Sequence, residues 1–223
     1  MKNGALEIVW AGEKLALLPE RALWWPRQKT LFIADPHFGK AATFRLAGLA
    51  VPETSHDDDL TRLEMIVRRH RAAKLVVLGD FFHAKAGHNE TTLNELGKWR
   101  DRHPKLEMVL VIGNHDRHAG RPPDEWKIDC VKEPLPSAPF LCCHLPQKVT
   151  GGFVLCGHVH PAFQLYERSG LNKRAACFHF QKSMATLPAF GSFTGMHTVR
   201  PTSGDRIFLV TPGQVIDVSK LLR

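Results

Sequence analysis

Apolar positions along the chain fall into two patterns that change near its middle. Residues 6–10 and 15–18 are short apolar runs separated by Ala11-Gly12-Glu13, which reads as a β-hairpin at the edge of a sheet. Residues 30–34, 75–78 and 108–112 are continuous apolar runs, as expected of strands buried on both faces. Between them, Leu60, Leu63, Ile66 and Val67 recur at helical spacing within residues 57–71, and residues 92–102 form a second helical stretch. Strands alternating with amphipathic helices predict a sheet whose faces are covered.

From about residue 128 onward the helical periodicity is gone. Short strands are predicted instead over residues 140–143, 153–156, 175–180, 184–187 and 206–210, with Gly213-Gln214 as a last hairpin turn. The second half is expected to form another sheet packed on the first, giving a two-sheet sandwich flanked by helices. No internal repeat, low-complexity tract or long linker divides the pattern, so residues 1–223 are expected to form a single domain with a core of its own.

Composition narrows the classes. No apolar stretch reaches the ~20 residues of a membrane span. The opening residues lack the basic segment and apolar run of a secretory signal, so a cytoplasmic protein with no membrane partner is expected. The five cysteines include Cys142, Cys143 and Cys156 inside apolar runs, and no CxxC pair occurs, which favours buried thiols over disulfides or a zinc knuckle. A net charge of +8 favours polyanionic partners. The densest basic cluster, Arg68-Arg69-His70-Arg71 with Lys74, sits where a helix is expected to end, a position the helix dipole favours for cations.

The chemistry lies in four polar clusters, each following an apolar run: Asp35-Pro36-His37, Gly79-Asp80, Gly113-Asn114-His115-Asp116 and Gly157-His158-Val159-His160. Residues just past the C-terminal ends of parallel strands gather on one rim, so Asp35, Asp80 and Asn114 should converge. His144, His158 and His160 would bring imidazoles from the second sheet. Counted as ligands they make two sets sharing one carboxylate: Asp35, His37, Asp80 and His160 for one ion, and Asp80, Asn114, His144 and His158 for the other. Two divalent ions about 3.5–4 Å apart can hold a phosphate ester and turn a bridging water into hydroxide that attacks phosphorus. The mixed oxygen and imidazole set suits Mn²⁺ first, with Fe or Zn²⁺ as alternatives. His115 is expected to protonate the leaving oxygen, with Asp116 accepting its other N–H and orienting it. Glycines before Asp80, Asn114 and His158 are read as allowing sharp turns.

These clusters resemble the calcineurin-like metallophosphoesterase superfamily, whose pattern D-x-H, GD, GNHD, H and GHxH is met by Asp35/His37, Asp80, Asn114/His115/Asp116, His144 and His158/His160. The resemblance implies a four-layer αββα sandwich of two mixed β-sheets flanked by helices. Residues 35–45, the run 187–195 and Trp24-Trp25-Pro26 are similar to the bacterial DNA-ligase-associated metallophosphoesterases. That implies a phosphodiesterase or endonuclease acting on DNA, in repair beside a DNA ligase and a helicase. The alternative substrates are nucleotides, cyclic nucleotides or phosphomonoesters. A non-catalytic scaffold of this fold would be expected to lack ligands or the catalytic histidine, and here each position is filled.

Two positions depart from the pattern. Pro36 stands where an aliphatic residue is more usual, and Cys143 stands where Gly usually precedes the lone His, which leaves the turn at His144 in question. Lys40, Arg45 and His83 lie beside the metal motifs and are candidates for holding substrate phosphates. Phe190 and Phe193 are candidates for base stacking, with core packing as the competing role.

Overall fold

The computed structural model describes residues 4–40, 44, 54–166 and 172–222. Its first sheet has seven strands in sequence order: β1 (Leu6–Trp10), β2 (Glu13–Leu18), β3 (Ala22–Trp25), β4 (Thr30–Ile33), β5 (Lys74–Val77), β6 (Glu107–Val111) and β7 (Ile128–Val131). The first four form an antiparallel meander, and β4 to β7 are parallel. The predicted entry hairpin, expected to end in Trp24-Trp25-Pro26, therefore has Trp24-Trp25 in a third strand of its own.

Period-2 alternation explains why β4, β5 and β6 read as unbroken apolar runs. Leu31, Ile33, Leu75, Val77 and Leu110 point to one face, against Leu60, Leu63 and Ile66 of α1 (Thr54–His70) and Leu96 and Trp99 of α2 (Glu90–Arg102). Phe32, Val76 and Val111 point to the other, against the second sheet. Helix α2 starts where the Asn89 side chain accepts a hydrogen bond from Thr92 N at 2.9 Å, satisfying a free N–H of its first turn. At the end of α1, Arg68 pairs with Glu64 and Arg69 with Glu20 at 2.6 Å, so much of the densest basic cluster is spent on holding the helix end.

The second sheet is built from nine strands: β8 (Leu135–Ser137), β9 (Phe140–Cys142), β10 (Phe153–Cys156), β11 (Pro161–Tyr166), β12 (Asn172–Phe180), β13 (Met184–Thr186), β14 (His197–Thr198), β15 (Arg206–Thr211) and β16 (Gln214–Asp217). It too is mixed, with β9, β10 and β13 parallel at its centre and antiparallel partners around them. The two mixed sheets meet face to face through Leu17, Leu23, Trp25 and Phe32 on one side and Phe140, Leu155, Phe178 and Phe208 on the other. This is the expected two-sheet α/β class. Among the described residues both long helices cover the first sheet. The outer face of the second carries a smaller cluster, Cys177, Ile207, Leu209 and Val218, beside the 3₁₀ turn Ser219–Leu222. All five cysteines are free, and four are buried. No helix among the described residues is long and apolar enough to cross a membrane.

Trp25 links the layers. Its ring lies 4.9 Å edge-on from Phe140 of the opposite sheet, and its Nε1 donates to Glu13 Oε2 at 2.7 Å. Trp25→Ala is expected to cost about 3–5 kcal/mol in urea unfolding, the range for an emptied aromatic site. Trp25→Phe keeps most of the packing and should cost clearly less.

Candidate metal centre

Strands β4, β5 and β6 end together because they pair in parallel register, and the residues that follow them stand on one rim. The parallel centre of the second sheet ends at the same rim, with His144 after β9 and His158 after β10. The first sheet thus supplies Asp35, Asp80 and Asn114, and the second supplies imidazoles. Five of the candidate ligands, Asp35, His37, Asp80, His158 and His160, sit at positive φ between 47° and 67°. Non-glycine residues adopt that region at a cost of order 1–3 kcal/mol each, so the surrounding bonds must hold them there.

Those bonds come from neighbouring motifs. Asp35 Oδ2 accepts from His158 N at 2.8 Å, and Asp80 Oδ1 from His115 N at 2.9 Å. The glycines contribute space as well as turns. A Cβ on Gly113 would collide with the Asp80 carboxylate, one on Gly79 with the His144 ring, and one on Gly157 would lie 2.6 Å from Asp35 Oδ2. Gly79 has the positive φ that the turn argument foresaw, while Gly113 and Gly157 are needed for close approach. Each motif's glycine therefore makes room for another motif's ligand.

Three donor groups result. Asp35, His37 and His160 form one, Asp80, His144 and His158 a second, and His37, His83 and His115 a third at the opening, with the donor atoms in each within 4.8 Å of one another. Asn114 joins the second group, its Oδ1 2.8 Å from His144 Nε2. Asp80 reaches the first two, with Oδ2 3.9 Å from His37 Nε2 and Oδ1 3.5 Å from His144 Nε2. His144 Nδ1 donates to the Leu78 carbonyl at 3.0 Å, which turns Nε2 toward Asn114 Oδ1 and toward His158 Nδ1, 3.1 Å away. His160 repeats the device: Nδ1 donates to the Gly195 carbonyl at 3.0 Å, and Nε2 faces Asp35 Oδ2 at 3.7 Å. Acceptors converging on acceptors are what a cation site requires, and hydrogen-bonding the far ring nitrogen fixes the metal-binding tautomer. Asp35 Oδ1 is buried with no hydrogen-bond partner, a further open acceptor. The residues present fit a pair of divalent ions.

Burial tunes the groups in the same direction. It pushes His37 down to about 2, helped by Lys40 and the adjacent imidazoles, so His37 is held in the neutral form a metal needs. Burial likewise lowers His158 and raises Asp80, whose shift His144 partly opposes. Each of these shifts records the cost of burying a charged form, cationic at the histidines and anionic at Asp80.

Asp116 is a correction. It was expected to orient the His115 imidazole, yet its buried carboxylate accepts from the N–H groups of Asp80 (2.9 Å), Phe81 (2.8 Å) and Gly113 (2.8 Å). Asp116 opens the short helix α3 (Asp116–Ala119) and faces inward, tying two motif loops together. His115 Nδ1 donates instead to the His83 carbonyl at 2.8 Å. The His83 ring stacks on His115 (5.4 Å, 23°) and meets His37 edge-on at 5.3 Å, so His83 lines the same opening. Burial, then Lys40, lowers His83 to about 4. Lys40 is half-buried with Nζ 5.7 Å from the Phe44 ring centroid, and burial lowers its pKa. Arg45 lies outside the described residues. Phe190 is fully buried in the core, whereas Phe193 is exposed. His88 and His103, outside the four polar clusters, are half-buried: the first lies 4.0 Å from the Phe82 ring, the second bonds Glu64.

Glu133 was missed. Its Oε2 accepts from His144 N at 2.7 Å and Leu145 N at 3.1 Å, fixing the loop that aims His144. Nothing local in the sequence marks it, because the contact spans two loops. Cys143 is not among the residues with positive φ, so the departure from Gly at that position leaves the turn intact.

With this geometry in view, the comparisons fall into place. Residues 28–158 match the family model of the calcineurin-like phosphoesterases, and the chain belongs to that family. It is a metal-dependent phosphoesterase. The chain is similar to the nuclease MPE of Pseudomonas putida, with 38% identity over 96% of this chain and 100% of that one and a TM-score of 0.85. A distant likeness to Yfce, a phosphoesterase from E. coli, has 14% identity over 85% of this chain and 98% of that one, with a TM-score of 0.39. No curated protein sequence matches.

Gly113→Ala tests the interlocking directly. The added methyl displaces the Asp80 carboxylate, and hydrolysis of bis-p-nitrophenyl phosphate should fall by roughly 100-fold or more, as when an active-site group is misplaced by about 1 Å. Metal binding measured by calorimetry should weaken with it.

Proposed function

We propose that the protein is a dinuclear metal-dependent phosphodiesterase that acts on DNA as a nuclease, with endonucleolytic cleavage included. The observation that carries the reading is the pair of donor groups that Asp80 reaches, with the half-exposed His115 beside them. Asp35, His37, Asp80 and His160 would hold one ion, and Asp80, Asn114, His144 and His158 the other, Mn²⁺ being the first choice and Fe or Zn²⁺ the alternatives. When bound, two such ions supply Lewis acidity for a phosphate ester and a water of lowered pKa.

The chain's own residues do the rest. The His115 side chain is 41% exposed, against 3% for His37 and 1% for His144; His158 is exposed as well, so it is the place of His115 outside both ligand sets that marks it for substrate. Its Nε2 stands 4.0 Å from Asp80 Oδ2, beside the metal donors. With Nδ1–H held by the His83 carbonyl, a proton on Nε2 is presented outward, to the oxygen that leaves phosphorus. Lys40 and the His83 ring border the same opening and would steady the phosphate. The similarity to a nuclease and the net charge of +8 support a nucleic acid substrate. A place in DNA repair beside a ligase and a helicase follows from the resemblance in residues 35–45 and 187–195.

The test is a metal-by-substrate matrix on chelator-stripped protein. Activity should return with Mn²⁺, favour bis-p-nitrophenyl phosphate over p-nitrophenyl phosphate, and extend to nicking of labelled DNA. Monoester hydrolysis alone would replace the diester reading. Asp80→Ala should lose both ions, and two retained ions would refute the shared carboxylate. His115→Ala should keep the metal and lose turnover by about 10²–10⁴-fold.

A further inference from the structure

The run 187–195 is a sequence signature that the reaction leaves unused, yet it is tied down at both ends. Leaving β13, it runs along the end of β4: Ala189 bridges Ala34 in parallel, Phe190 N donates to Ala34 O at 2.7 Å, and Gly191 N to Asp35 O at 3.3 Å. At its far end Gly195 O accepts from His160 Nδ1 at 3.0 Å, and His197 N donates to His160 O at 3.0 Å. The loop thus touches the backbone of one ligand of the first donor group and the imidazole of another.

Helix α1 holds this loop through one carboxylate. Asp59 is buried, with Oδ2 accepting from Ser192 N at 3.0 Å and Oδ1 from Ser192 Oγ at 2.5 Å and Arg62 Nη2 at 2.8 Å. The Arg62 guanidinium lies 4.3 Å from the Phe190 ring centroid and donates to the Phe190 carbonyl. Arg21, from the turn between β2 and β3, reaches the carbonyls of Ala189 and Gly191 at 3.4 Å each. A buried carboxylate is costly unless fully partnered; among the described residues Asp59 takes its hydrogen bonds from the loop and from Arg62, and the Arg21 charge favours it too. The second donor group is held mainly through His144, by Leu78 O and Glu133, and shares with the first a hydrogen bond, from His158 N to Asp35 Oδ2.

We propose that Asp59, Arg62 and Ser192 are positioning residues that clamp loop 189–195 and, through Gly195 and Asp35, set the Asp35/His37/His160 half of the metal centre and not the other half. The proposal rests on the two-ion reading above. Partners of this kind, one bond removed from the metal, typically change its affinity by about 10–100-fold.

Calorimetric titration of the chelator-stripped full chain with Mn²⁺ separates the two questions. Two binding events in the wild type test the two-ion reading by themselves. In Asp59→Ala and Ser192→Ala, one event should weaken by about 10–100-fold while the other stays within about threefold. Asp59→Asn, which keeps one oxygen for Ser192, should fall between Asp59→Ala and wild type. Thermal unfolding of the metal-free proteins checks the fold, and Ser192→Ala, which removes only a hydroxyl, decides if Asp59→Ala does not fold. Two unaltered events in the folded variants overturn the clamp, and so does equal weakening of both. If the wild type binds a single Mn²⁺ the two-ion reading fails, and the clamp then stands only if Ser192→Ala still weakens that event.

Discussion

Two carboxylates, Asp35 and Asp80, are buried at the seam between the sheets, at 0% and 2% exposure, and the rest of the site answers the cost of putting them there. Among the described residues their ion-pair contacts are all imidazoles, His144 and His160 for Asp35 and His37, His115 and His144 for Asp80. Burial drives His37 toward neutrality, so that imidazole supplies no lasting positive charge. An uncompensated buried carboxylate is strongly destabilising, which makes a bound cation part of the fold's own energetics. Catalytic capacity and structural need are met by the same atoms.

The architecture determines which atoms those are. Each sheet contributes a parallel centre, β4 to β6 in the first and β9, β10 and β13 in the second, and both centres end on the same rim. Oxygen ligands come mainly from one layer and imidazoles from the other, so the site exists only when the sheets are packed. The inter-sheet aromatics, with Trp25 against Phe140, therefore act on the centre at a distance by fixing the layer spacing. Reciprocally, a ligand that binds only the assembled rim stabilises the packing by mass action.

How much of this could be read from the chain follows from the range of each interaction. Asp35, Asp80, Asn114, His144, His158 and His160 were legible because each follows an apolar run, and parallel strands carry run-ends to one place. Helices α1 and α2 were legible from periodicity. Asp116 was misread because its neighbour in sequence, His115, is not its neighbour in space: the first turn of α3 points the carboxylate back at the Asp80 and Gly113 backbone. Glu133 and Asp59 left no local signal, since each bonds a loop far along the chain, 11 and 133 residues away. Strand β11 escaped because it starts at Pro161, directly after the last ligand, with no turn residues to mark it. The glycines were found but half explained, since a sequence shows where a turn is allowed and not which side chain needs the vacated space.

Five of the candidate ligands sit at positive φ. A backbone held in that region stores free energy which the fold supplies through hydrogen bonds made elsewhere, to Asp35, Asp80, Asp116 and Glu133. Acidic side chains thus serve the centre in two capacities. Two face the ion sites, and the others accept backbone N–H groups at the base of the loops. On the two-ion reading, a pair of dications against Asp35 and Asp80 leaves an excess of positive charge at a mouth bordered by Lys40 and His115, where a phosphodiester anion would be drawn. The metal-free rim presents those carboxylates without that excess. Affinity for the substrate anion is then conditional on metal, and the strained loops are the means by which the fold keeps the donors in place before either arrives.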